Sequence, residues 1–128
     1  MSANLVGMGE LMMERKEIQK EYKEAINTFV DTGCRLALVE NEYKVERTKM
    51  IAQLNVVGMP HEGKHTKPLA ITACEGISHG IEPVASLRLR RDMLVIEHEV
   101  AKEKIWAVKT RQKQLDSDIE SIRRTTGI

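Results

Sequence analysis

The stretch LRLRRDMLVIEHEVAKEKIWAVKTRQKQLDSDIESI, residues 87–122, carries core-type residues at every seventh position: Leu87, Leu94, Ala101, Val108, Leu115 and Ile122. A matching series runs through the first half as Tyr22, Phe29, Leu36, Tyr43, Met50 and Val57. An apolar repeat of seven marks helices packed along a seam. Between the two series, Gly58, Pro60, Gly63, Pro68, Gly76, Gly80 and Pro83 punctuate the chain. The pattern reads as an all-α, coiled-coil-like antiparallel helical hairpin. It forms one domain over 1–128, with a long helix over about 8–57, a connection over 58–83 and a second long helix over about 84–125.

The first helix is dense in Glu and Lys at helix-supporting spacings, with only Gly33 to interrupt it, at a cost of about 1 kcal/mol relative to Ala. Gly33 is a candidate bend or close-approach point. Residues 1–7 are expected to fray. Within the connection, Pro68 suits a first helical turn and Gly76 a C-cap, so a short helix is expected between them.

Composition agrees with long helices rather than a globular α/β enzyme: aromatics are 3% and charged residues 30%. The net charge of +1 supplies no general pull toward nucleic acid or a membrane surface. Basic and acidic residues alternate, against a basic zipper, and the few aromatics are too far apart for a single-strand stacking platform. Two cysteines are no disulfide framework, no apolar run reaches the ~18 residues of a membrane span, and Glu10 interrupts the N-terminal apolar stretch. A cytoplasmic protein with no signal peptide is the expectation.

Half a heptad from each main stripe lies a second: Leu11, Ile18, Ala25, Thr32 and Val39 in the first helix, Arg91, His98, Ile105, Gln112 and Ile119 in the second. Pairing the arms symmetrically about the connection sets Gln112 opposite Phe29–Thr32 and His98 opposite Tyr43–Glu46, as polar layers that fix register. Further apolar residues lie off the seams. They are Leu89, Met93, Ile96, Val100 and Ala107 in the second helix, and Ile26, Val30, Cys34, Leu38, Ile51 and Leu54 in the first. A helix apolar on two faces buries both, which a lone hairpin cannot do. Self-association into an oligomeric helical bundle is the economical solution, and a groove for a partner helix is the rival. The interface candidates are Leu89, Met93, Ile96, Val100, Trp106, Leu38, Ile51 and Leu54. Trp106 reads as a cover for the seam edge, a reading that exposure would reverse, because Trp is enriched in binding hot spots.

Two sets could carry chemistry. His61, His65, Cys74 and His79 are borderline and soft ligands of the kind zinc takes, but H-x3-H-x8-C-x4-H is no established zinc spacing, and solvated or structural side chains are the plain alternative. Lys64 and Lys67, with Arg88, Arg90 and Arg91 at the start of the second helix, could in an oligomer surround a phosphate or small nucleotide with groups from neighbouring chains; the plain alternative is a solvated basic face with Arg91 paired to a Glu of the first helix. No nucleophile–base signature, P-loop or GxGxxG is present, and no cofactor is expected. A non-enzymatic binding protein is the expected class.

Gly58-Met59-Pro60, then Val84-Ala85-Ser86-Leu87-Arg88-Leu89-Arg90-Arg91-Asp92, followed by a charged heptad helix, resembles small helical-hairpin accessory proteins of phages and prophages of Gram-positive bacteria. Their pattern is roughly G-x-P, a variable loop, then V-A-x-L-(K/R)-x-x-R-D. The His-rich loop departs from it. The resemblance covers most of the chain. It implies a protein acting in the host cytoplasm by binding, with phage replication or recombination proteins or a host defence factor as targets.

Overall fold

The computed structural model describes residues 2–61, 64–65 and 67–126, and the side chains of residues 7–59 and 67–125. Helix α1 spans Ser2–Val57, α2 Ile71–Ser78 and α3 Val84–Thr126. α1 and α3 pack against each other as a hairpin. The helix begins at Ser2, where fraying was expected, and runs unbroken through Gly33. A pair of two-residue strands, β1 (Pro60–His61) and β2 (Lys64–His65), forms a small antiparallel ladder in the connection.

The chain divides into two compact units. One joins α1 as far as Thr32 to α3 from His98 onward, and the other comprises residues 33–97. In the first unit, Ile18, Val108, Leu115 and Ile119 form a buried cluster, with Met8, Leu11 and Tyr22 packed against it. In α1 the half-heptad series is the deeper one: Ile18, Ala25, Thr32 and Val39 are buried, whereas Tyr22, Phe29 and Leu36 are half-buried. In α3 the main series is deeper, with Leu94, Ala101, Val108 and Leu115 buried.

A polar layer sits in this first unit. Thr32 Oγ1 lies 3.0 Å from the Thr28 carbonyl oxygen and 3.1 Å from that of Phe29, so its single proton goes to the backbone. The hydroxyl oxygen then accepts from His98 Nδ1–H at 2.9 Å. The His98 ring stacks on Phe29, with centroids 4.4 Å apart. The ring of a half-buried seam histidine is thereby held through Nδ1, by partners other than those expected. Arg15–Asp116 and Arg111–Glu21 ion pairs flank the seam with the same offset.

The register therefore differs from symmetric pairing. His98 meets Phe29 and Thr32, not Tyr43–Glu46, and in the second unit Arg91 meets Tyr43. α3 is displaced by roughly two to four turns toward the start of α1. The reason lies where α1 ends. Gly58 takes a left-handed φ of 78° and donates its N–H to the Leu54 carbonyl at 3.1 Å, a glycine C-cap. Leu69 N–H donates to the same carbonyl at 3.1 Å, and Asn55 Nδ2 donates to Leu69 O at 2.9 Å. The connection thus folds back on the last turns of α1 and takes the place that α3 was expected to fill. Leu54, Cys74, Ser78 and Val84 are wholly buried in this unit.

The short helix also differs from expectation. Pro68 precedes it, the N-cap is Ala70, and Gly76 lies inside it, with His79 as C-cap. Ser78 Oγ donates to Glu75 O at 2.9 Å, and Gly80 N–H to Ile77 O at 3.0 Å. These bonds end the helix beyond Gly76.

Leu115→Ala should cost about 2–5 kcal/mol, read as a fall in the urea midpoint, because it opens a cavity in the cluster. Thr32→Val should cost about 1–3 kcal/mol by stranding His98 Nδ1. Thr28→Val, on an exposed hydroxyl bonded only to Glu24 O, should stay within about 0.5 kcal/mol. Equal effects of the two threonine changes would refute the polar layer.

Candidate functional site

Two surfaces are left after the core is assigned. The first is apolar. Leu89, Met93, Ile96 and Val100 of α3 are 63%, 55%, 64% and 63% exposed, and their spacing sets them on one stripe of the helix. Trp106 is also exposed, so it does not cover the seam; it lies roughly a third of a turn away from that stripe. In α1, Val30, Leu38 and Val45 are exposed, with Cys34 between the first two. Two residues expected on this surface are not free to serve there: Leu54 is wholly buried in the core and Ile51 is half-buried.

The second surface is a basic cleft of about 390 Å³ within residues 33–97. Glu40, Tyr43, Lys44 and Arg47 line it from α1, His79 from the end of α2, and Arg88 and Arg91 from the first turns of α3. Residues 40, 43, 44 and 47 share one face of α1 by the three–four spacing, and 88 and 91 share one face of α3. Arg91 is a wall rather than a free cation. Its guanidinium lies 4.5 Å over the Tyr43 ring and donates to Asp92 Oδ1 through Nη2 at 2.9 Å. The hydrogen bond to Asp92 is the main reason its proton is held more tightly than in a free arginine. Tyr43 Oη lies 3.1 Å from His79 Nδ1, with the two rings nearly parallel. Desolvation lowers the His79 pKa, and the positive charges of Arg88, Arg47 and Arg91 lower it further.

Among the described residues, Lys44, Arg47 and Arg88 make no ion pair. Arg47 Nε is buried with no hydrogen-bond partner. The cleft is thus a concentration of donors with a single carboxylate, Glu40, on its lining. Such an arrangement attracts anions and repels cations.

Of the expected anion-binding residues, the structure brings Arg88 and Arg91 together. Arg90 lies outside the cleft lining, Lys67 is exposed outside it, and the side chain of Lys64 falls outside the described residues. Glu40, Tyr43, Lys44 and Arg47 were missed because symmetric pairing set Arg88 and Arg91 against the last turns of α1. Of the expected metal set, the side chains of His61 and His65 lie outside the described residues. Cys74 is buried and its thiol approaches Leu69 O at 3.6 Å, while His79 turns to Tyr43. Among the described residues no group of three or more His, Cys, Asp or Glu could hold a metal ion.

No protein-family model, curated protein or solved structure matches this chain. Among the described residues, no helix is long and apolar enough to cross a membrane.

The lowered His79 pKa has a consequence for stability. Between that value and the ordinary 6.5, the unfolded chain binds the proton and the folded chain does not, so stability rises with pH across that window. The contribution is complete above 6.5 and lost as pH falls through the lowered value. In thermal melts, the wild type should lose more of its midpoint between pH 7 and 5 than His79→Gln. Parallel losses would show that His79 titrates alike in both states.

Proposed function

We propose that the chain is a non-enzymatic interaction protein that self-associates through the outer face of α3 and, as an oligomer, binds another protein. One observation carries the reading: Leu89, Met93, Ile96 and Val100 form an exposed apolar stripe on a helix whose other apolar face is already used by the hairpin core. Exposed apolar surface aligned along a helix is the raw material of helix–helix interfaces. A second copy offers the same stripe, and an isologous pairing buries both at once. Trp106, Leu38 and Val45 lie exposed elsewhere on the two helices and supply apolar contact points for a further partner.

The resemblance of the connection and the opening of α3 to phage hairpin proteins supports a phage setting. There the protein would act in the host cytoplasm on a replication, recombination or defence protein, with inhibition of a host defence factor as the role proposed first.

Sedimentation velocity tests the self-association. The wild type should sediment as a dimer or larger at micromolar concentration, and Met93→Glu with Val100→Glu should sediment as a helical monomer. A wild type that is monomeric at every concentration would sink the proposal.

A further inference from the structure

The basic cleft is not explained by an apolar interaction surface. Its cations do not serve the hairpin core: among the described residues, Lys44, Arg47 and Arg88 have no ion-pair partner, and Arg47 Nε is buried without an acceptor. Buried N–H groups in folded proteins almost always have a partner, so the orphaned Nε shows that the chain's own packing supplies Arg47 with no acceptor. Two guanidiniums and an ammonium converge from two helices whose charges would otherwise repel. The planar fork of Arg matches phosphate oxygens bidentately.

We propose that this cleft binds a small soluble ligand bearing a terminal phosphate or diphosphate, held by Arg47, Arg88 and Lys44 against a wall of Tyr43, Arg91 and His79.

Size and charge select that class. A volume of about 390 Å³ suits a small molecule rather than a macromolecular segment. A metal ion is disfavoured by the excess of cations. A nucleic-acid strand would need a basic path beyond the cleft, and the chain's net charge is only +1, with acids and bases interleaved along both helices. Arg91 is already committed to Asp92 and Tyr43, and this leaves Arg47 and Arg88 as the two forks that a phosphate can engage.

The electrostatics of the cleft supply a second readout. Arg88, Arg47 and Arg91 oppose a proton on His79, Glu40 is the only carboxylate among the described lining residues, and Lys44 adds to the positive field. A bound dianion offsets that field, so the imidazolium becomes easier to form and the His79 pKa rises on binding.

The test is calorimetric titration of the full chain with inorganic pyrophosphate and with adenosine monophosphate, with sodium chloride matched for ionic strength. Saturable binding of at least one probe is expected. Arg47→Gln and Arg88→Gln should each weaken it about tenfold or more, the loss of one charge-assisted hydrogen bond. Arg90→Gln, outside the cleft, should leave it unchanged, and all three variants should keep the wild-type helical circular dichroism. Histidine nuclear magnetic resonance should show the His79 pKa moving upward with saturating probe. Failure of both probes to bind at millimolar concentration overturns the proposal, as does binding that Arg47→Gln and Arg88→Gln leave intact. Binding only to vesicles containing phosphatidic acid would overturn the soluble ligand in favour of a lipid phosphate. None of these outcomes bears on the oligomer, which is read separately by sedimentation.

Discussion

The Leu54 carbonyl is the point from which the register follows. At the end of α1 it accepts two backbone N–H groups, one from Gly58 as the chain turns away and one from Leu69 as it returns. A helix end leaves its last carbonyls without intrahelical partners, and here the connection answers that need with its own backbone. The answer occupies space. Once the segment around Leu69 and α2 lies against the last turns of α1, α3 must enter farther back along it. Leu54, Cys74, Ser78 and Val84, all without solvent exposure, record how completely that end is filled.

The displaced register has a chemical result. It brings Arg88 and Arg91 to the face of α1 that carries Glu40, Tyr43, Lys44 and Arg47. Tyr43 is buried on the seam side, yet its ring receives Arg91 and its hydroxyl receives His79. One seam residue therefore organises the wall of a surface cleft. The cations that remain unpaired there are near enough to act on His79 and are not neutralised by the hairpin itself. In the other unit, Thr32 joins the backbone carbonyl of Thr28 to His98 Nδ1 in a polar layer within the seam. The contrast separates a histidine that serves packing from one that faces a basic cleft.

Much of the architecture was readable as spacing. Heptad stripes named nearly every buried residue of the long helices, because a helix repeats its faces regardless of what it packs against. The exposed stripe on α3 was readable for the same reason. Leu54 was misread as a surface residue because the connection that covers it follows no period. Trp106 was misread as a seam cover because it lies one position beyond Ile105, and a single position, about 100° of rotation, separates cover from exposure. Arg47 left no trace in the sequence beyond being one of many cations on a charged helix. Only its neighbours across the hairpin give it a role, and they depend on a register that short-range pattern does not encode.

The sequence by itself determined that there are two long helices, which faces of them are apolar, and that a Gly- and Pro-punctuated segment joins them. Those are local properties, set by side-chain period and by residues that start or stop a helix. Tertiary structure alone decided where the two helices meet along their length. Sliding one heptad stripe against another by whole turns keeps apolar opposite apolar, so the repeat cannot choose among registers. The choice falls to the backbone hydrogen bonds and burial at the end of α1, and with it the placing of the arginines around Tyr43 and His79.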